Sequence, residues 1–93
     1  MIRSFSCKES KKIFEGQYSR KLPTDIQERA LRKLRQLDAA INLEDLTIPP
    51  SNHLEILSGD LSNTMSIRIN NQWRLCFVWE DGEAYAVKII DYH

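Results

Sequence analysis

The apolar residues of this chain change their spacing near residue 54, from the period of a helix to the period of a strand. Ahead of that point, one apolar stripe recurs at helical spacing: Ile26, Ala30, Leu34, Leu37 and Ile41. Beyond it, a short strand is predicted at Leu54–Leu57, and apolar and polar side chains then alternate along Met65–Ile69, Trp73–Trp79 and Tyr85–Ile89. The change predicts helices in the first half, packed on the apolar face of a sheet of consecutive strands.

The segment before the apolar stripe predicts a strand and a short helix. Met1–Phe5 is typical of a first strand and lacks a long apolar stretch, so we expect no signal peptide. Ser6 and Glu9 have the spacing of a capping box, in which each side chain bonds the backbone N–H of the other residue. The helix should end near Phe14, because Gly16 can adopt the left-handed conformation that stops it.

The second helix is the clearest predicted element. Pro23 suits its first turn, and Thr24 with Gln27 offers another capping box. The helix should end near Ala40. Residues 43–52 should then form a connecting loop, because two consecutive prolines in this stretch cannot continue a helix.

Composition indicates a single domain, residues 1–93, with no membrane span and no cofactor. Hydrophobic residues make up 42% of the chain and charged residues 28%, which is ordinary for a globular protein. No apolar run approaches the roughly 20 residues of a spanning helix, so we expect a cytoplasmic protein that does not contact a membrane. Cys7 and Cys76 are too few for a disulfide framework or a metal cluster, and we expect two reduced thiols.

Charge is unevenly spread along the chain, although the formal net charge is zero. Residues 1–35 contain ten Lys or Arg and four acidic residues, whereas residues 36–93 contain three Lys or Arg and nine acidic residues. A basic half beside an acidic half is typical of a protein with one surface that meets a polyanion. The alternative is that these cations form the solvated faces of the helices.

Two turns set the register of the predicted hairpins. Asp81-Gly82 is typical of a two-residue turn between antiparallel strands. Strict continuation of that register pairs Cys76 with Val87. It also pairs Arg74 with Ile89, and cross-strand partners lie on the same face of the sheet.

The preceding turn predicts where the polar side chains of the sheet lie. A three-residue loop at 70–72 pairs Arg68 with Arg74 and keeps the apolar side chains of the strand on the core face, whereas a two-residue loop would turn them outward. Strict alternation then places four polar side chains on the other face: Arg68, Arg74, Asp91 and His93. Two guanidiniums, a carboxylate and an imidazole can form an anion site with acid and base groups. The alternative is an exposed sheet face with ion pairs.

Three segments of the chain match the motifs of a known family. Residues 66–77, SIRINNQWRLCF, resemble the central signature of the HigB-type toxins, and the final residues, DYH, resemble the C-terminus of that family. Residues 52–59, NHLEILSG, resemble the strand and turn that precede the signature. The resemblance covers nearly the whole chain and is strongest in its second half. The chain is therefore similar to the HigB-type toxins of the RelE superfamily, also described as plasmid-maintenance killer proteins.

This resemblance implies a fold, an activity and partners. The implied fold is α+β and RelE-like, with an N-terminal strand and two helices packed on a mainly antiparallel sheet. The implied activity is that of a type II toxin, an endoribonuclease that enters the ribosomal A site and cuts messenger RNA without a metal. The implied partner is a helix-turn-helix antitoxin of the HigA kind, through which alone the toxin would meet operator DNA.

The resemblance also carries roles over to single residues. Arg74 matches an arginine that contacts the scissile phosphate, and Arg68 matches a basic substrate-binding position. Tyr92 and His93 match the terminal pair of the family, with Asp91 beside them. We therefore expect Arg74, Asp91, Tyr92 and His93 to be catalytic.

Two positions depart from the family pattern and leave the general acid and base open. Many relatives have a basic residue where this chain has Leu61, and some have a histidine where it has Glu55. His53 is near enough to be a substrate contact, although we expect it to point to the other face of the strand from Glu55.

The implied reaction is attack of the ribose 2′-OH on the adjacent phosphorus, which leaves a 2′,3′-cyclic phosphate and a 5′-OH. Arg74, with Arg68, would stabilise the developing charge, because a guanidinium fork matches phosphate oxygens. His93 is the first choice for proton transfer, and Asp91 would orient it or act as the base. Tyr92 would stack on a base or position the 2′-OH.

The basic half of the chain supplies further candidate contacts. Three of its cations, Arg20, Lys21 and Arg32, are expected to hold ribosomal RNA. Contacts of this kind are made to phosphates, so they depend on salt and not on base sequence.

Two other functions stay open at this point. A ParE-like toxin on the same fold would act on DNA gyrase and would need no terminal acid and base pair. A non-catalytic interaction module would use the sheet face only to bind a protein, and its expression would not stop growth.

Overall fold

A computed structural model describes residues 1–57 and 64–91 of the chain. Its helices are α1, Lys8–Phe14, and α2, Thr24–Ala39, followed by two short 3-10 helices, Leu43–Thr47 and Pro50–Asn52. The strands of this part are β1, Glu55–Ile56, β2, Thr64–Arg68, β3, Trp73–Glu80, and β4, Glu83–Asp91. They form one antiparallel sheet in the order β1-β2-β3-β4. Within the same ranges, no helix has the length and apolar character needed to cross a bilayer.

The N-terminal segment lies beside β4. Ile2 forms a parallel bridge with Ala84, and Phe5 forms another with Val87. The predicted first strand is therefore present as two bridges, and it adds a parallel neighbour to an otherwise antiparallel sheet. The predicted α+β architecture, with an N-terminal strand and two helices on a mainly antiparallel sheet, is confirmed.

The helices cover one face of the sheet, where the hydrophobic core lies. Both helices pack on β4, and α2 also contacts β3. The stripe of α2 is buried as predicted at Ile26, Ala30, Leu34 and Leu37. Ile41 is 75% exposed, so its predicted burial is wrong. The reason is that the helix ends at Ala39 and Ala40 is extended, which takes Ile41 off the helical stripe.

Neither predicted capping box forms, because the side chains have other partners. The Ser6 hydroxyl donates to the backbone oxygen of Ala86 (3.2 Å), and Glu9 accepts from the Ser19 hydroxyl (2.6 Å). The Gln27 side chain accepts from the Ser19 N–H (3.0 Å) and donates to the Ser19 carbonyl (2.7 Å). Ser19 is fully buried between the helices, so these bonds satisfy the polar groups of the α1–α2 connection rather than a helix terminus.

The β2–β3 hairpin has the predicted register. Arg68 lies opposite Arg74, and the Ile69 N–H donates to the Trp73 carbonyl (2.9 Å). The Asn70 side chain accepts from the Trp73 N–H (2.8 Å) and so stabilises the turn. The apolar side chains of β2 are buried on the helix side. Arg68 and Arg74 therefore share the opposite side of the sheet, here called the far face.

The β3–β4 hairpin begins as predicted but contains a β-bulge. Asp81 and Gly82 both have positive φ, 51° and 78°, as a two-residue turn of this kind requires. Ala86 also has a positive φ of 51°, and beyond it the pairing is shifted by one residue. Cys76 therefore lies opposite Lys88. The prediction that Cys76 pairs with Val87 is wrong.

Burial explains the bulge. Val87 is fully buried in the core and Lys88 is exposed. Strict alternation would have placed Val87 on the far face and the Lys88 ammonium against the helices. The extra residue corrects the direction of both side chains, at the cost of one irregular position.

The same shift changes the position of Asp91. Arg74 lies opposite Ile90 rather than Ile89, and Asp91 lies opposite Trp73, whose ring packs against the core. Asp91 is therefore not on the far face with Arg74, and that prediction is wrong. Because the register is shifted from Ala86 onward, strict alternation no longer predicts His93 on that face either.

Candidate active site

Arg74 is a buried arginine on the far face of β3. It is 6% exposed. Its Nε donates to the Ser66 hydroxyl (2.8 Å), and its Nη2 donates to the carbonyl oxygens of Ser66 (3.2 Å) and His53 (2.5 Å). A buried charge without partners costs several kcal/mol, on the order of 3–5. These bonds therefore allow the guanidinium to remain buried, and they fix its orientation.

A carboxylate and a second guanidinium lie beside Arg74. Glu55 Oε1 is 3.9 Å from Arg74 Nη1. Arg68 is the cross-strand neighbour of Arg74 on β2, and its guanidinium contacts the Asn71 side-chain oxygen. An open cleft of about 340 Å³ lies between these groups. It is lined by His53, Glu55, Arg68, Asn70, Asn71 and Arg74.

The sheet register places Glu55 in this cleft. Glu55 lies opposite Ser66 on β2, and Ser66 lies opposite Cys76 on β3. Residues two apart on a strand share a face, so the side chains of Glu55, Ser66 and Arg68 all belong to the far face. The cleft is thus formed beside the β2–β3 turn, on the far face of three neighbouring strands.

His53 reaches the cleft because of its backbone conformation. It ends the second 3-10 helix with φ 44° and ψ 58°, which is the left-handed region. This conformation is uncommon for a residue other than glycine, and such residues concentrate at functional sites. Here it directs the His53 carbonyl to Arg74, and His53 lines the same cleft as Glu55. The expected direction of the His53 side chain relative to Glu55 stays a prediction, because the contact that joins His53 to Arg74 is made by the backbone carbonyl.

The charges of the cleft favour a bound anion. Arg68 and Arg74 are like charges directly opposite each other, an arrangement that destabilises a sheet. Among the described residues that line the cleft, Glu55 is the carboxylate beside these two guanidiniums. A phosphate group in the cleft would meet the Arg68 guanidinium and Arg74 Nη1, since Arg74 Nε and Nη2 already donate to the protein, and the Glu55 carboxylate would be close enough to exchange a proton with the substrate.

The predicted acid and base groups are not all in this cleft. Asp91, at the end of β4, does not belong to the lining residues, and its side chain accepts from Gln72 Nε2 (3.2 Å). Tyr92 and His93 lie outside the described residues. Arg68, Arg74 and His53 are therefore the predicted site residues that the described structure brings together.

The three basic residues predicted to hold ribosomal RNA lie in different places. Arg20 and Lys21 are exposed in the α1–α2 connection and do not line this cleft. Arg32 is exposed on α2 and lines a second depression, between α2 and the β2–β3 turn, that adjoins the cleft.

Glu55 is the cleft residue that sequence reasoning treated only as a departure from a family pattern. A usable signal was present in the sequence. Glu55 and His53 are two residues apart, and this is the spacing of side chains that share one face of an extended segment. A carboxylate and an imidazole at that spacing, just before the strand that carries Arg68, indicate a polar cluster.

A cysteine nucleophile and a metal site are weaker candidates for the chemistry of this protein than the cleft. Burial raises the pKa of the Cys76 thiol, while Lys88 and Arg74 act in the opposite direction. A buried thiol with a raised pKa is a poor nucleophile, as expected for a packing residue. Within residues 1–57 and 64–91, no three or more His, Cys, Asp or Glu residues are grouped so that they could hold a metal ion.

Comparison with known proteins identifies the family. Residues 3–93 match the model of the HigB-like toxin family, described as the RelE-like toxin of the type II toxin–antitoxin system HigB. Toxin HigB-1 of Vibrio cholerae is 49% identical over 65 residues, which are 70% of this chain and 68% of that protein. Endoribonuclease HigB of Proteus vulgaris is 31% identical over 93 residues, the full length of both chains.

A third relative, an uncharacterised protein of Haemophilus influenzae, is 38% identical over 68 residues, or 73% of this chain and 67% of its own. The family match covers all but the first two residues, and the cleft residues lie inside it. A toxin of this class acts together with an antitoxin. The chain belongs to the HigB-like toxins, the RelE-like toxins of type II toxin–antitoxin systems.

Proposed function

We propose that this toxin is an endoribonuclease that cleaves messenger RNA on the ribosome and so inhibits translation. The observation that carries the proposal is the cleft in which two guanidiniums and a carboxylate converge on one face of the sheet, with His53 among the lining residues. The full-length similarity to a protein named Endoribonuclease HigB supports the same activity.

The reaction is an internal transfer at phosphorus. The 2′-oxygen of the messenger loses its proton to a base and bonds to the adjacent phosphorus. The bond from phosphorus to the 5′-oxygen breaks, and an acid gives that oxygen a proton. The products are a 2′,3′-cyclic phosphate and a 5′-OH, and water is not consumed in this step.

Arg74 and Arg68 bind the phosphate and stabilise the charge that develops on its oxygens. The hydrogen bonds of Arg74 to Ser66 and His53 hold its fork in place before substrate arrives, so little reorganisation is needed during the reaction. Removing a fixed donor of this type typically lowers the rate by about 10²–10³.

Glu55 is our choice for the base that accepts the proton of the 2′-OH. Its carboxylate faces the cleft beside Arg74, and its side chain is 45% exposed, so a substrate can reach it. His93 is our choice for the acid, with Tyr92 stacking on a base of the messenger. These two roles rest on the family resemblance of the last three residues, because Tyr92 and His93 lie outside the described part of the structure.

The partners follow from the activity. The ribosome holds the messenger in its A site and presents single-stranded RNA to the cleft. Arg20 and Lys21, exposed and basic, would contact ribosomal RNA through its phosphates. The antitoxin would be a HigA-like helix-turn-helix protein, and operator DNA would be bound through it. The toxin would therefore work in the cytoplasm.

The test is induction of the chain in cells, with primer extension on a reporter messenger. We expect wild type to arrest growth and to cut within ribosome-occupied codons. Arg74→Ala and His93→Ala should abolish the cuts, whereas Arg35→Ala, an exposed cation on α2, should cut like wild type.

Each variant should also be checked for folding by co-purification with the antitoxin. Arrest without messenger cuts would reject the nuclease and favour a gyrase-directed toxin. Cutting by a folded Arg74→Ala variant at the wild-type rate would reject the cleft as the site.

A further inference from the structure

A second, wider groove lies next to the cleft, between α2 and the β2–β3 turn. Its volume is about 500 Å³. Arg68, Asn70 and Asn71 line both this groove and the cleft, so the two depressions adjoin each other on the surface. A ligand that fills the cleft can therefore extend into the groove without leaving the surface.

The groove is strongly positive. Arg29, Arg32 and Lys33 line it from α2, and Arg68 lines it from β2. The described residues that line it include no Asp or Glu. The pKa of Lys33 is lowered, first by burial and then by the charges of Arg32 and Arg29. Cations that crowd one another without a carboxylate between them create a potential that favours a bound polyanion.

The cations differ in how far the protein itself uses them. Lys33 Nζ donates to the buried Asn52 side chain (2.5 Å), and Arg29 Nη1 makes a long bond to the Ile69 carbonyl (3.4 Å). Arg32 is exposed and makes no hydrogen bond or ion pair with the described residues. Two of the three helix cations are thus held in place, and the third is available to a ligand.

We propose that this groove binds the sugar–phosphate backbone of the RNA strand that is cut, at a phosphate next to or near the scissile one. The proposal rests on the ribonuclease function and adds a second phosphate site to it. Adjacency to the cleft favours the same strand over a separate RNA segment. Arginine side chains suit this task because each presents several donors to phosphate oxygens.

The site would recognise backbone rather than bases. The groups that would contact the RNA are cations on a helix. Contacts between cations and phosphates fix the position of an RNA strand but do not read its base sequence. The groove would therefore raise affinity for longer single-stranded RNA and align the scissile phosphate with Arg74, whatever the codon.

The experiment measures binding of single-stranded oligonucleotides to the purified toxin by fluorescence anisotropy. The oligonucleotides carry 2′-O-methyl riboses, which cannot be cleaved, and contain two or six nucleotides. The chains compared are wild type, the double variant Arg29→Ala and Arg32→Ala, and the control Arg35→Ala. Alanine preserves the helix, and all three positions are exposed, so folding should be retained.

We expect wild type and the control to bind the six-nucleotide strand about tenfold more tightly than the two-nucleotide strand. The double variant should lose most of that gain. Its slope of log affinity against log salt should also become shallower, by about 0.7 for each phosphate that the variant no longer neutralises.

An unchanged length effect and salt slope in the double variant would overturn the proposal. It would also be overturned if the double variant bound the long strand normally but no longer sedimented with ribosomes, because the groove would then serve ribosomal RNA. Failure of the ribonuclease function is distinguishable from failure of the groove proposal. If the ribonuclease function is wrong, wild type will cut no messenger. The length effect and its loss in the double variant would still establish the groove as a site for the RNA backbone.

Discussion

Among the single residues of the cleft, Arg74 depends most on its surroundings. Its guanidinium donates to the hydroxyl and carbonyl oxygens of Ser66 and to the His53 carbonyl, and it also pairs with Glu55. A lysine has one compact ammonium and cannot reproduce this fork. The residue therefore joins the stability of the sheet to the binding of phosphate, and its substitution affects both.

Glu55 offers a cleaner test at this scale, because its side chain is 45% exposed and makes fewer contacts within the fold than the buried Arg74. Glu55→Gln keeps the shape of the side chain and removes its ability to accept a proton. We expect the single-turnover rate of messenger cleavage to fall by about 10²–10⁴. The midpoint of urea unfolding should change little, because glutamine keeps the size of the side chain and the hydrogen bonds of Arg74 to Ser66 and His53 remain.

The matched control for that substitution is Glu80→Gln, which changes an exposed carboxylate beside the β3–β4 turn. It should leave the cleavage rate unchanged. Cleavage by the Glu55→Gln variant at the wild-type rate would show that another group accepts the proton.

Among the elements, the β3–β4 hairpin illustrates what local sequence predicts. Asp81-Gly82 determines its own turn, because these residues tolerate the positive φ that a two-residue hairpin needs. The bulge at Ala86 has no such signal. Alanine is not typical of a left-handed position, and the apolar residues that follow it are compatible with either register. The burial of Val87 against the helices and the exposure of Lys88 decide between them.

The bulge gives a prediction about stability. The positive φ of Ala86 costs about 1–2 kcal/mol of strain, which glycine would not have. Ala86→Gly also makes the unfolded chain more flexible, a loss of about 0.4–1 kcal/mol. We therefore expect Ala86→Gly to raise the free energy of unfolding by between zero and about 1.6 kcal/mol. Ala86→Val, with a branched side chain, should lower it by about 1–3 kcal/mol.

Urea unfolding, followed by the fluorescence of Trp73 and Trp79, measures these changes. The control is Ala39→Gly in the last turn of α2, which should be destabilising by about 0.5–1 kcal/mol, as glycine is in an ordinary helix. If Ala86→Gly is as destabilising as Ala39→Gly, the bulge is not present in solution.

The helix termini show the same limit of local reasoning. Ser6 with Glu9 and Thr24 with Gln27 have the spacing of capping boxes, yet Glu9 and Gln27 both bond the buried Ser19. The spacing is a local property, whereas the demand of a buried connection for partners is a tertiary one. The bounds of the helices were nevertheless predictable, because the apolar stripe and the residues that stop a helix are local.

For the whole molecule, sequence predicted the architecture and half of the cleft. The change of period near residue 54 gave helices before strands, and the three-residue turn placed Arg68 opposite Arg74. The membership of the HigB-like toxin family, expected from residues 66–77, is confirmed. The side of the sheet that carries Asp91 was not predictable, because one bulge reverses the direction of every later side chain.

The uneven charge of the chain also has an explanation at this scale. The basic first half supplies Arg29, Arg32 and Lys33 to the groove, and the second half supplies Arg68, Arg74 and Glu55 to the cleft. The two halves thus meet along one positive surface, whose described lining residues include a single carboxylate. This arrangement suits a polyanion whose phosphate must be both held and attacked.

The measurement that tests the nuclease most directly is cleavage by the purified toxin on ribosomes stalled at a defined codon, with analysis of the ends of the cut messenger. We predict one cut within the A-site codon, a 2′,3′-cyclic phosphate and a 5′-OH as the new ends, and no cut with Arg74→Ala. An intact messenger with wild-type toxin on an occupied ribosome would contradict the nuclease, and equal cutting of free messenger would contradict its dependence on the ribosome.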